Sequence, residues 1–233
     1  LRPKGRRFCK GKVIKMRDLQ DYELYIIDMD GTLYFQRKMQ LLMGLRLLGC
    51  ALTGKRGAGE LKTVLTYRKL REQCKGEKTP DDQLIEQIAQ KKKTEPQSEK
   101  QIIEKWLYLL PLDVIAGCRD KRMTELVNEW KRAGKKAVIY SDYPAEHKCK
   151  ALGLSGIPCF DSTAPSIDVL KPDPKGIEVI LKEMGVTDRR KAVMIGDRQS
   201  RDGEAAVRAG IDFLILKKCA LLRKKQYHDA GLL

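Results

Sequence analysis

Histidine is scarce. The chain has two, His147 and His228, which leaves histidine-based metal or triad chemistry little to work with. Cysteine is present but never grouped. Seven, at 9, 50, 74, 118, 149, 159 and 219, stand singly with no C-x-x-C pair. That pattern argues against a zinc site or a disulfide frame and for reduced thiols in a cytoplasm. Long apolar runs are also missing. No stretch of 18 apolar residues occurs; the run at 39–52 is too short for a membrane span and contains Arg46. No secretory signal is visible.

What is present is a chain of 233 residues, 42% apolar and 33% charged, long enough for one sizeable core with an insertion or for two small domains. Its net charge of +16 is unevenly placed. Residues 1–20 carry eight Lys/Arg against one acid, residues 35–110 sixteen against nine, and residues 217–233 five against one. The remainder is slightly acidic. Basic ends of this kind attract a polyanion or an anionic membrane surface. The ordinary reading of such runs is solvated tails and helix faces.

Four short apolar runs read as buried strands: 23–27 (ELYII), 137–140 (AVIY), 192–195 (AVMI) and 213–216 (FLIL). Amphipathic helical stretches near 119–134, 144–152, 173–184 and 200–210 separate the later ones. Strands alternating with helices predict parallel β-α-β units in an α/β, doubly wound, Rossmann-like sheet. Ligands of such sheets bind outside the carboxyl ends of the strands. The block 35–110 breaks the alternation. It shows helical stretches near 37–51, 60–74, 81–93 and 99–109, with breaks at 53–59 (TGKRGAG) and 93–98 (KTEPQS), and no strand. It reads as an all-helical insertion, leaving 1–34 and 111–233 as the core. Trp106 and Tyr108 sit at helical spacing and read as part of the insertion's own core. His147 reads as a surface residue.

The polar residues at the strand ends form one set. The first strand ends in Asp28 and Asp30, the second in Ser141, the third in Asp197 with Asp202 five residues later; Lys171 lies between the second and third strands. Carboxylates so crowded cannot all stay ionised without a cation among them. Oxygen ligands without His or Cys favour Mg²⁺. A metal with Lys171 would screen a phosphate dianion and let a carboxylate approach it. Gly31 and Thr32 would present backbone N–H groups to phosphate oxygens.

Laid out in this order, DMDGTL (28–33), YS (140–141), LKPDP (170–174) and IGDRQSRD (195–202) resemble the motifs of the haloacid dehalogenase superfamily, in its phosphatase branch. The resemblance implies roles by position. Asp28 is the expected nucleophile, forming an aspartyl-phosphate. Asp30 is the expected general acid and then base. Ser141 is expected to hydrogen-bond a phosphate oxygen, and Lys171 to pair with phosphate and nucleophile. Asp28, the backbone carbonyl of Asp30, and Asp197 are expected to hold Mg²⁺. Asp202 is either a ligand, a supporting group behind the ligands, or the N-cap of the next helix. The helical insertion corresponds to a type-one cap that closes over a small phosphorylated metabolite. The second Asp favours phosphoryl transfer over dehalogenation, because a halide leaves without a proton. A phosphomutase would use the same residues, differing in how well the closed cap excludes water. A different class stays open: a protein that keeps the fold but uses its basic surfaces to bind nucleic acid or membrane.

Two positions depart from the family pattern. Asp142 follows Ser141 where a neutral residue is expected, so it must turn away from a bound phosphate. Arg198 follows Asp197; it is expected to neutralise Asp142 or the acidic cluster, or to face solvent.

Overall fold

A computed structural model describes residues 6–9, 12–15, 18–76, 78 and 80–232. Its centre is a five-stranded parallel sheet made of β3 (Leu24–Asp28), β4 (Lys136–Ser141), β5 (Cys159–Asp161), β6 (Ala192–Gly196) and β7 (Asp212–Ile215), in the order β5-β4-β3-β6-β7. The expected α/β fold is therefore the observed one. A separate hairpin joins β1 (Arg6–Cys9) to β2 (Lys12–Lys15). The rest of the basic stretch 1–17, expected to meet polyanions, lies outside the described residues.

Both faces of the sheet are buried, which is why its strands read as continuous apolar runs. Tyr25, Ile27, Ile139, Val193 and Ile195 pack into one core, while Leu24, Ile26, Val138, Met194 and Tyr140 pack into the other. The first core is closed by α6 (Lys121–Arg132), whose Asp120 accepts a cap hydrogen bond from Met123 N–H at 3.1 Å. The second is closed by α8 (Lys175–Glu183) and α9 (Glu204–Ala209). A short helix, α7 (Glu146–Ala151), follows β4 and carries an exposed His147. Cys149 and Cys159, ten residues apart, meet with sulfurs 2.8 Å apart, although all six described cysteines are free thiols.

Between β3 and β4 the chain is helical. α1 (Gln36–Leu52), α2 (Lys55–Gln73), α3 (Asp81–Lys92) and α4 (Pro96–Ile103), with a π-helical continuation at Glu104–Leu109, build two small cores of their own. Trp106 fills one, beside Met43, Leu47 and Val64. α5 (Leu112–Cys118) then leads back to the sheet. The expected break at 53–59 is shorter than the glycines suggested, for α2 begins at Lys55. Gly57 is helical and contacts α1: a Cβ there would lie 1.9 Å from the Cys50 carbonyl oxygen. It is there for close approach of two helices rather than to break one.

Glu99 ties three of these helices. Its carboxylate accepts from Thr63 Oγ1, Thr94 Oγ1 and Lys92 Nζ, and the residue is 1% exposed. Burial alone would raise its pKa, but the Lys92, Thr63 and Thr94 hydrogen bonds outweigh it and hold the carboxyl below its ordinary value. Glu99→Ala should cost about 3 kcal/mol at pH 7, because it leaves Lys92 and two hydroxyls without their acceptor. A lowered folded pKa stabilises only above the unfolded value, about pH 4.3, and that contribution disappears as pH falls through the folded value. Denaturation midpoints of wild type and variant should therefore converge at acidic pH.

Candidate active site

All the motif residues lie at the carboxyl end of the sheet, where β3 sits at the reversal of strand order. Asp28 is the last residue of β3 and pairs in register with Tyr140, one residue before Ser141. Asp197 follows the last residue of β6, the strand on the other side. Asp28, Asp197 and Asp202 are all buried, and each offers an oxygen within 4.8 Å of the others. Lys171 Nζ stands between two of them, 2.6 Å from Asp28 Oδ1 and 2.7 Å from Asp202 Oδ1.

Two glycines make this approach possible. A Cβ on Gly31, whose φ is +90°, would meet Asp197 Oδ2 at 2.5 Å, and one on Gly196 would meet Asp202 at 2.4 Å. Thr32 contributes its hydroxyl, which donates to Asp28 Oδ2 at 3.1 Å. Its backbone N–H, expected to face a phosphate, is instead used inside the turn by the Met29 carbonyl at 3.3 Å.

The electrostatics follow from the crowding. Burial, with Asp202 and Asp197 nearby, raises the Asp28 carboxyl well above its ordinary value even though Lys171 opposes the shift. Burial also raises Asp197, against the attraction of Lys218 3.5 Å away. Burial would lower Lys171, but Asp202 and Asp28 outweigh it and keep the ammonium charged. Lys171→Met should destabilise the protein by about 3 kcal/mol, since it strands two buried carboxylates. Urea unfolding should show that loss shrinking as pH falls, because protonation of Asp28, whose pKa burial raises, removes one of the stranded charges.

The donor set fits a hard divalent cation. It is all oxygen, it carries three carboxylates against two ammoniums, Lys171 and the more exposed Lys218, and Asp197 Oδ1 is buried without a hydrogen-bond partner. A cavity of about 640 Å³ opens beside Asp197, lined by Arg198, Gln199, Ser200 and Lys218, so water reaches that side.

Asp30 is placed apart from the triad. It accepts from Lys148 Nζ at 2.7 Å and from the Tyr34 hydroxyl. Burial would raise its pKa, but Lys148 and Tyr34 outweigh it and hold the carboxyl below its usual value. Lys148 is a buried lysine on α7 that nothing in the sequence distinguishes from its exposed neighbour Lys150. Ser141, 1% exposed, ends β4 and accepts from Tyr143 N–H at 3.0 Å.

The two departures from the motif pattern have structural explanations. Asp142 turns toward the Lys171 loop, accepting from Lys171 N–H at 3.0 Å and from Ser162 Oγ at 3.1 Å. Arg201, not Arg198, faces its other oxygen at 3.3 Å. Arg198 reaches the insertion instead and pairs with Glu72 on α2. Arg201 Nη2 donates to the Cys74 carbonyl at 2.9 Å, and Arg71 of α2 returns the contact to the Asp142 carbonyl at 2.6 Å. Three arginines thus join the insertion to the strand ends. Asp202 is not a helix N-cap: it lies inside a π-helical turn, Gln199–Gly203, and its oxygens accept from Lys171 Nζ and Arg198 N–H.

The floor of the site is fixed from the far end of the chain. Arg223, on α10 (Ala220–Asp229), is buried and donates to the carbonyls of Gly31 at 2.6 Å and Thr32 at 3.2 Å, while also pairing with Asp120 at 3.1 Å.

A family model described as haloacid dehalogenase-like hydrolase matches residues 22–210, and the chain belongs to that family. Solved structures share the fold at low identity. The 2-haloacid dehalogenase of Pseudomonas syringae pv. Tomato DC3000 is 15% identical, with 84% of this chain and 86% of that one covered at a TM-score of 0.58. Magnesium-bound YfnB of Bacillus subtilis is 13% identical, with 90% and 99% covered at 0.60. CbbY of Rhodobacter sphaeroides, in complex with phosphate, is 18% identical, with 84% and 86% covered at 0.54. No curated protein matches the chain. No helix among the described residues is long and apolar enough to cross a membrane.

Proposed function

We propose that this hydrolase is a Mg²⁺-dependent phosphatase acting on a small phosphomonoester through an aspartyl-phosphate on Asp28. The observation that carries the reading is the buried Asp28–Asp197–Asp202 cluster with Lys171 bridging two members and an oxygen of Asp197 left without a partner. Asp28, Asp197 and the backbone carbonyl of Asp30 would hold Mg²⁺, with Asp202 beside them orienting Lys171. The ion supplies charge that lets a phosphate dianion approach these carboxylates.

Asp28 attacks phosphorus and the bond to the leaving oxygen breaks, with Lys171 and Ser141 holding phosphate oxygens. Asp30 supplies the proton to that leaving oxygen. Water then attacks phosphorus, Asp30 takes its proton, and the Asp28–phosphate bond breaks. The Lys148 contact favours the ionised state of Asp30, the state that receives the water's proton. Proton donation to the leaving group requires Lys148 to be drawn from Asp30, and an incoming dianion attracts that ammonium.

Residues 35–110 form the cap in this reading, and 1–34 with 111–233 the core. The side chains through which the cap meets the site, Arg71, Tyr67 and Tyr108 with Tyr143 of the core, are placed to select the substrate. The free thiols are in keeping with a reducing cytoplasm. The test is Mg²⁺-dependent phosphate release across sugar phosphates, nucleotides, small phospho-acids and a generic aryl phosphate. Isomerisation of a sugar phosphate without phosphate release would reassign the protein as a mutase; no turnover of any kind would overturn the enzyme reading.

A further inference from the structure

The insertion presents an apolar face that the proposed reaction does not use. On α1, Leu41, Leu45, Leu48 and Leu52 are 64%, 59%, 51% and 80% exposed. At 100° per residue they fall within an arc of about 60°. The opposite arc holds Met39, Met43 and Leu47, which pack into the insertion's core. A helix with apolar stripes on both sides is one that is meant to be covered twice. Two further exposed leucines, Leu221 and Leu222, 80% and 56% exposed, open α10. The two helices are neighbours, since the Arg223 guanidinium lies 5.0 Å from the ring of Phe35, the residue preceding α1.

Charge narrows what can cover this face. α1 carries Arg37, Lys38 and Arg46 and no acid at all. Arg37 and Lys38 lie on or beside the leucine arc; Arg46 lies to its side, 3.4 Å from Asp113. Lys217, Lys224 and Lys225 flank the exposed leucines of α10, while Lys218 turns to Asp197. A second copy of the chain would oppose like charge with like charge. It would also lack the charged flanks of a paired helical seam, because the positions beside the leucines are Leu42, Gly44, Gly49 and Ala51. A broad leucine face on a helix whose charged residues are all cations is the pattern of a helix lying in a membrane interface.

We propose that the outer face of α1, continued by the start of α10, docks on an anionic lipid bilayer, with the leucines entering the interface and the flanking cations meeting lipid phosphates and carboxylates. This differs from attraction through the basic ends alone, because it requires apolar insertion from the cap.

Flotation of the full chain with phosphatidylcholine vesicles, with and without phosphatidylserine, tests it. Wild type should float with the phosphatidylserine vesicles and weaken as salt rises. Leu45→Gln with Leu48→Gln should reduce the bound fraction at least about tenfold. Unchanged circular dichroism and melting should show that this variant folds, and Leu41→Gln with Leu52→Gln gives an independent second variant. Absence of wild-type binding would overturn the proposal, and so would equal binding by both double variants, which would assign the effect to charge alone. Sedimentation showing a dimer that the leucine variants dissociate, without lipid binding, would assign the face to a second copy instead.

Discussion

Replacing Asp28 by Asn should lower kcat by at least about 10⁴-fold without weakening the fold. The two halves of that expectation have different causes. Turnover is lost because an amide cannot form the acyl-phosphate. Stability holds, or rises, because Asp28 is buried beside Asp202 and Asp197, and that crowding raises its pKa. A carboxyl raised above its unfolded value is destabilising at neutral pH, since its ionised form is favoured more by the unfolded chain. The neutral amide removes that cost; its oxygen can still accept from Lys171, and its NH2 can donate to the Thr32 hydroxyl, the two groups that contact the Asp28 oxygens. Phosphate release with Mg²⁺ added, and thermal melting of the same preparation, check both halves. Full turnover by Asp28→Asn would refute the assignment of the nucleophile. Lost turnover together with a collapsed melting temperature would leave only a structural role.

Adding Mg²⁺ should raise the melting temperature of wild type by about 5–10 °C at a hundredfold excess over its dissociation constant, and chelation should reverse it. A ligand at that excess stabilises by about 2.7 kcal/mol, and a domain of this size gains roughly 2–4 °C per kcal/mol. Asp197→Asn should abolish most of the shift, because Asp197 Oδ1 is the buried oxygen with no other partner. The shift should also fade as pH drops, beginning above the ordinary carboxylate range. Protons compete for Asp28 and Asp197, and burial raises both. An equal shift in Asp197→Asn would place the cation elsewhere.

The sheet was legible in the sequence because both its faces are buried. The runs at 137–140 and 192–195 lie within β4 and β6 nearly residue for residue. β5 escaped because Cys159, Phe160 and Asp161 are all only half-buried and form no apolar run. The β1–β2 hairpin escaped because its strands, RRFC and KVIK, are four residues each and show neither an apolar run nor alternation. α10 escaped for another reason: much of its burial is carried by an arginine, a residue that sequence reading assigns to solvent. The acidic cluster was legible because strand ends converge wherever β-α-β units stack. Lys148 and Arg201 were not, because each acts on a partner far away in sequence, Asp30 and Asp142 respectively. Helical spacing had put Trp106 in the insertion's core, where it lies; it could not say that Tyr108 would face Tyr143 across the junction.

The grip of Arg223 on the carbonyls of Gly31 and Thr32 has a consequence for synthesis. The strand bearing Asp28 leaves the ribosome early, but the guanidinium that sets the turn beyond it is translated nearly two hundred residues later. A nascent chain therefore lacks the finished turn beyond Asp28 until α10 has been made and docks.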